Sequence, residues 1–320
     1  MSSLTTAPSI QTQRKLALSL LLAQGGITVT GSIVRVTGSG LGCNTWPNCH
    51  PGSLVPVPGA APWIHQAVEF GNRLLTFVLV ALTVAVFVAV LRAGRRKEII
   101  IHSVIQGVGV IIQAVIGGIS VWLDLKWWAV ALHFLPSMLL VWLAAILFVR
   151  VGEPDDGEVR YTYSSGLRWL AALGAVLLSG VLMTGTMVTG AGPHSGDDGV
   201  GMEGRLEVDI DWIAHVHAWV MYAYLAATVL LLIGLILQQA PQRQRNQAWL
   251  LIGMILVQAA VGIGQYHLQV PRWSVPIHIG LCSFVVAATA ILWAIGKVRV
   301  GGQATLTGSP AGDAKRTVTV

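Results

Sequence analysis

Four histidines are the residues of this sequence whose placement best suits chemistry. Each stands a few residues inside a long apolar segment: His65, His133, His217 and His278. An imidazole in the apolar interior of a membrane is costly without a partner, so each is a candidate functional residue. Two imidazoles at one depth on facing helices form a ligand set that holds porphyrin iron. The pattern therefore predicts heme binding, against the plainer interpretation that each histidine only bonds a neighbouring helix and packs.

Eight apolar segments are the elements that must position these histidines. Hydrophobic residues make up 54% of the 320 residues and charged residues 11%, whereas a soluble domain carries about 25% charged residues. Each segment is long enough for the roughly 20 residues that cross a bilayer. We predict an all-α integral membrane protein with eight transmembrane helices. The spans are expected at about 14–35, 63–91, 98–120, 128–149, 166–189, 212–238, 246–268 and 274–296.

Lysine and arginine lie mostly on one side of these spans, in the links at 92–97, 150–168 and 243–245 and after 296. The positive-inside rule then predicts a multi-pass protein of the plasma membrane, surrounded by lipid, with both termini in the cytoplasm. The net charge of +6 is interpreted as this topology signal, so no nucleic-acid partner is expected. The first span lacks a usual cleavage site and is expected to be retained.

An internal repeat divides the chain. Residues 110–134 align with 255–279 without a gap, and the matched residues are Gln113 with Gln258, Gly117 with Gly262, and His133 with His278. Thr30-Gly31 likewise echoes Thr184-Gly185. Such parallel repeats predict two pseudo-symmetric four-helix bundles related by an axis along the membrane normal. The expected units are a cytoplasmic tail 1–13, a first half 14–150, a cytoplasmic linker 151–165, a second half 166–297 and a disordered tail 298–320.

The repeat makes the two halves unequal in possible ligands. His217 and His278 give the second half a full pair of imidazoles, which suits a permanent cofactor. At the repeat offset, Asn72 stands where His217 stands, and asparagine is a poor iron ligand. His65 lies two helical turns before Asn72, on the same face. We interpret the first half as a substrate pocket formed by His65, His133, Asn72 and Arg73.

Glu69 is the candidate catalytic residue of that pocket. A carboxylate in a region of low dielectric constant suits a proton acceptor. The alternative is structural, since Glu69 and Arg73 stand four residues apart on one helix and can pair with each other.

Cys43 and Cys49 stand close together in the long link between the first two spans. The extracytoplasmic side permits disulfides, so we predict a Cys43–Cys49 bond, acting as a structural staple or as a redox-active pair. A zinc site with His50 is a third possibility, but it has no clear fourth ligand.

Several of these segments resemble the heme A synthase family over nearly the whole chain, about residues 14–297. The resemblance is carried by the loop Thr37-Gly38-Ser39-Gly40-Leu41-Gly42-Cys43 with Trp46-Pro47 and Cys49, by Glu69-x-x-Asn72-Arg73, and by the histidines of the fourth, sixth and eighth spans.

The resemblance implies an enzyme that oxidises the C8 methyl group of heme O to a formyl group by successive hydroxylations. The product, heme A, serves cytochrome c oxidase. It further implies heme b held by His217 and His278, and substrate heme O near Glu69 and His133. Cys43 and Cys49 would serve electron transfer or heme handling. The partners expected are heme O synthase as donor, a membrane quinone or other electron acceptor, and the cytochrome oxidase assembly machinery.

This sequence departs from the family pattern Glu-x-x-His-Arg at Asn72. Either His65 replaces the absent histidine as a ligand of the substrate iron, or the iron keeps an open position. Two rival functions share part of the pattern. A di-heme b-type cytochrome passing electrons between quinol and a partner would need bis-histidine ligation in both halves. A transporter would show broken helices at the midplane.

Overall fold

Eight α-helices form almost all of the regular structure in the computed structural model, which describes residues 7–194 and 204–301. All eight are long and apolar enough to cross a membrane. The predicted all-α, eight-span membrane fold is therefore confirmed. The helices are α1 (Ile10–Val36), α2 (Trp63–Arg92), α3 (Lys97–Trp122), α4 (Trp127–Val151), α5 (Ser165–Ala191), α6 (Ile210–Leu237), α7 (Gln242–His267) and α8 (Ser274–Ala294).

A small antiparallel sheet joins the middle of the chain to its last described residues. Strand β1 (Glu158–Tyr161) pairs with strand β2 (Lys297–Val300). The prediction of a disordered tail from residue 298 was therefore wrong for 298–300, because these residues bond to the segment expected to be only a linker. Residues 302–320 of that tail lie outside the described residues.

The first helix begins earlier than its apolar pattern indicates. The side chain of Ser9 accepts a hydrogen bond from the backbone N–H of Thr12 at 3.1 Å, as a helix N-cap does. Gln13 is buried, and its side chain accepts a bond from Arg95 at 2.9 Å. Residues 10–13 of the predicted tail are thus helical, with the N-cap at Ser9 starting the helix and only Gln13 among them buried. Residues 1–6 lie outside the described part of the chain.

The helices contact one another in two rings. Helices α1 to α4 each touch the next and α4 touches α1, while α5 to α8 repeat this pattern with α8 touching α5. Between the rings, α4 and α1 contact α8, and α4 contacts α5. Strict two-fold symmetry of the halves stays a prediction. The contacts do give each histidine-bearing helix of the first half the same neighbouring helices, within its ring, as its counterpart in the second half.

One end of the bundle, called here the basic end, carries the α2–α3 link, the α4–α5 link and the small sheet. Arg150 is buried there and donates to Glu153 Oε1 at 2.6 Å, to the Lys297 carbonyl at 2.6 Å and to the Ala294 carbonyl at 3.0 Å. Its guanidinium therefore ties the end of α4 to the end of α8. The opposite end, called the disulfide end, carries the α1–α2 loop.

We expect Arg150→Met to lower the free energy of unfolding by about 3 kcal/mol, because the buried Glu153 carboxylate loses one of its two arginine partners and the carbonyls of Lys297 and Ala294 lose their donor. Thermal unfolding in detergent measures the loss. The control is Arg160→Met on the exposed strand β1, which should unfold close to the unaltered protein. Equal stability of the two variants would contradict the role given to Arg150.

Candidate functional site

Three of the four predicted histidines pack their rings against a glycine on the preceding helix. A Cβ built on Gly117, Gly185 or Gly262 would lie 3.2 Å from the ring atom Cε1 of a histidine in each case. The pairs are Gly117 with His133, Gly185 with His217, and Gly262 with His278. A larger residue at any of these three glycine positions would press on the histidine ring. The glycines are thus part of the site and hold the imidazoles at the helix contacts.

His217 has a defined ring orientation. Its Nδ1 lies 3.1 Å from the hydroxyl oxygen of Thr184. The Thr184 hydroxyl hydrogen can go to the carbonyl of Gly180 at 2.8 Å, so its oxygen accepts the N–H of His217. That bond places the proton on Nδ1 and leaves a lone pair on Nε2, which is the form a metal-binding histidine takes.

Matched polar atoms lack partners in the two halves. Nδ1 of His133 and Nδ1 of His278 are buried without a hydrogen-bond partner among the described residues, and so are the side-chain oxygens of Gln113 and Gln258. Buried polar groups in proteins are nearly always bonded, so unpartnered ones point to a bound group or an ordered water. Imidazoles that each pack on a glycine, with two of them in the second half, fit the predicted heme.

The first half has an amide where the second half has its sixth-helix imidazole. Asn72 Oδ1 lies 2.7 Å from the hydroxyl of Thr30, as His217 Nδ1 lies near the hydroxyl of Thr184. Thr30 is the matched residue of Thr184. The structure therefore supports the repeat alignment that made Asn72 the counterpart of His217. Asn72 therefore occupies the position that His217 has in the second half, so the first half has an amide there and not an imidazole.

Glu69 and Arg73 form an ion pair that also holds the α1–α2 loop. Arg73 contacts Glu69 Oε1 and donates to the carbonyls of Thr45 at 2.9 Å, Asn48 at 3.1 Å and Cys43 at 3.0 Å. Glu69 Oε2 accepts the backbone N–H of Cys43 at 2.6 Å. The Glu69–Arg73 ion pair, which the sequence suggested as a structural alternative to catalysis, is therefore present. The same carboxylate, buried at the disulfide end, is held beside the loop and away from bulk water.

Cys43 and Cys49 are joined by a disulfide, as predicted, and both are buried. The ring of His50 bonds the side chains of Asn44 at 3.2 Å and Gln66 at 2.9 Å. Both sulfurs are used in the disulfide and His50 faces amides, so the zinc alternative was wrong. Within 7–194 and 204–301 there is also no cluster of three or more histidine, cysteine or acidic residues suited to a metal ion.

Glycines explain why the loop lies so close to the helices. Gly38 has φ of 65°, a conformation that side chains disfavour. A Cβ on Gly42 would clash with the backbone of His65, and one on Gly118 of α3 would clash with the ring of Trp46. Trp46 therefore inserts against α3, where it also meets the ring of Trp122 edge-on. Sequence reasoning missed this contact, because nothing in the pattern around Gly118 marks it as a docking position.

His65 lies under this loop. Its Nδ1 is 3.1 Å from the carbonyl of Gly38 and 3.1 Å from the hydroxyl of Ser39. The loop thus holds His65, and seven residues separate it from Asn72, about 10 Å along the helix axis. Among the residues predicted to form the first-half pocket, Asn72 lies at the position that matches His217. His65, Glu69 and Arg73 instead contact the α1–α2 loop.

We expect Gly118→Ala to loosen the docked loop, because the new methyl group must displace Trp46. The measurement is the rate at which dithiothreitol reduces the buried Cys43–Cys49 bond in the folded protein, and we expect it to rise. Gly107→Ala is the control on the same helix, since its Cβ would only touch Thr83 at 4.0 Å. Equal rates in both variants would contradict docking through Trp46.

Comparisons with known proteins point to one family. A family model described as COX15-CtaA, cytochrome oxidase assembly protein, matches residues 14–291. The heme A synthase of Bacillus licheniformis is 25% identical over 253 residues, covering 74% of this chain and 80% of that protein. The heme A synthase of Exiguobacterium sibiricum is 31% identical over 147 residues, covering 45% of this chain and about half, 48%, of that protein. The heme A synthase of Geobacillus kaustophilus is 29% identical over 108 residues, 33% of this chain and 32% of that protein.

Proposed function

The chain belongs to the COX15-CtaA family of cytochrome oxidase assembly proteins, and from that membership we propose that it is a heme A synthase, converting heme O to heme A. The substrate change is the oxidation of the C8 methyl group to a formyl group in two hydroxylations. Written with water as the formal oxygen source, each removes two electrons and two protons. The second gives a hydrated aldehyde, which loses water.

The observation that carries this proposal is the paired arrangement in the second half. The rings of His217 and His278 each pack on a glycine, and a proton on His217 Nδ1, bonded to the Thr184 hydroxyl, would leave Nε2 free. These two residues would hold heme b. Heme b bound there would supply a one-electron outlet for the oxidation. The electrons would pass on to a membrane quinone or another acceptor.

In the first half, His133 would ligate the substrate iron, and Glu69 would accept protons released at the methyl carbon. Glu69 is held in place by Arg73 and by the N–H of Cys43. The docked loop packs on α2 and α3 at this end, and it would shield a bound substrate from water. Heme O synthase would deliver the substrate. The disulfide end would face outward and both termini the cytoplasm, as the placement of Lys and Arg indicates.

The test is to purify the protein from cells that make heme O, extract the bound hemes and identify them by mass. We expect heme B together with heme A or a hydroxylated intermediate. Heme B alone, after supply of heme O and an electron acceptor, would favour the rival di-heme cytochrome. Asn72 already argues against that rival, because the first half lacks the imidazole that bis-histidine ligation requires.

A further inference from the structure

The repeat has four matched glycines, and a histidine ring packs against three of them. The space beside the fourth glycine is open. Gly117, Gly185 and Gly262 each have a histidine ring 3.2 Å from where a Cβ would stand. Gly31, the match of Gly185, has no atom within 4 Å of that point among the residues described. The space that the His217 ring fills in the second half is therefore left free in the first half.

Asn72 lines this space with a fixed amide. The hydroxyl of Thr30 holds one end of the amide at 2.7 Å. The other end makes no hydrogen bond to the rest of the described chain, so a polar group remains available toward the space beside Gly31. An amide next to a free space of this kind suits a small molecule that can hydrogen-bond to it.

His65 does not fill the space. It lies two turns toward the disulfide end, about 10 Å from Asn72 along α2. Contacts of its Nδ1 with Gly38 and Ser39 hold the ring beside the loop, although they leave Nε2 free, and Gly42 packs directly on its backbone. To bring this ring level with Asn72, the loop would have to give up its close contacts at Gly42 and Gly118. Of the two alternatives drawn from the sequence, the open position agrees with these contacts.

We propose that the first half leaves one face of the substrate iron without a protein ligand, and that Thr30, Gly31 and Asn72 form a binding site there for a water-sized or diatomic molecule. This inference rests on the proposed function, since it needs heme O bound by His133. An iron with one histidine and an accessible polar pocket binds small ligands, whereas a bis-histidine iron is closed to them. The second half, with both imidazoles, would be the closed site.

Carbon monoxide is the probe. The full-length protein, loaded with heme B and heme O in detergent, is reduced without oxygen and titrated while its absorption spectrum is recorded. We expect about one carbon monoxide molecule bound per protein. Asn72→His restores the missing imidazole. It should reduce carbon monoxide binding more than about tenfold and add a second low-spin bis-histidine signal, with both hemes retained.

Three further variants separate the ligand question from folding. Gly31→Val fills the open space and should weaken carbon monoxide binding, whereas Gly26→Val, on the same helix with equal room, should not. His65→Ala should leave binding unchanged. If carbon monoxide binds only after His65→Ala, His65 is the ligand and the inference is overturned.

Failure of this inference differs from failure of the proposed function. Two bound hemes with no carbon monoxide reaction, or full binding in Asn72→His, would overturn the open site alone. Uptake of only one heme, even when heme O is supplied, would overturn the proposed function and this site with it.

Discussion

His278→Ala is expected to lower the heme b content of the purified protein by more than about tenfold, since under the proposed function it removes one of the two histidines that would hold heme b. His217→Ala should do the same. The measurement is the low-spin heme spectrum per folded protein, with heme extracted and identified. His215→Ala is the matched control. His215 lies two residues from His217 but is exposed and bonds the Asp211 carbonyl at 2.6 Å, so its loss should leave the spectrum intact.

Thr184→Val separates ligation from packing in this prediction. It keeps the shape of the side chain but removes the oxygen that receives Nδ1–H of His217. We expect heme affinity to fall by roughly 10-fold to 100-fold, or the heme potential to shift, without loss of the fold. A folded, membrane-inserted His217→Ala or His278→Ala protein with an unaltered low-spin spectrum would contradict the assignment of both histidines, and the proposed enzyme would lose its main support.

The sequence predicted the features that follow from the length of apolar segments and from the internal repeat. Apolar length indicated eight spans, and the constant offset matched His133 with His278 before any geometry was known. Both succeed because bilayer thickness and helical geometry act on every residue alike. The spacing of Glu69 and Arg73 also predicted that they can pair, since residues four apart on a helix are neighbours.

The rest depended on contacts between residues distant in sequence. Strands β1 and β2 are four residues each, too short to show a pattern, and they pair at the place where Arg150 links the end of α4 to the end of α8. The seat of Trp46 on Gly118 likewise needs the loop and α3 in one place. A single sequence shows neither contact, because each residue type is ordinary where it stands.

Glu69→Gln should lower turnover of heme O by at least about 100-fold while heme b stays bound, because the amide cannot accept a proton. The amide retains an oxygen for the N–H of Cys43, so the loop should stay docked. Heme A formation is measured in the purified protein with heme b content as the reference. Glu69→Asp keeps a carboxylate and should recover part of the activity if its shorter side chain still reaches the pocket.

Arg73→Gln decides whether Glu69 acts by its proton or by holding the loop. This variant leaves the carboxylate but weakens the contacts to the carbonyls of Cys43, Thr45 and Asn48. If Glu69 only positions the loop, both Glu69→Gln and Arg73→Gln should lose activity together, and dithiothreitol should reduce the disulfide faster in both. If Glu69 accepts the proton, Glu69→Gln should be inactive with a disulfide as protected as in the unaltered protein. Full turnover in Glu69→Gln would remove this residue from the chemistry and leave Glu69 and Arg73 as a clamp on the loop.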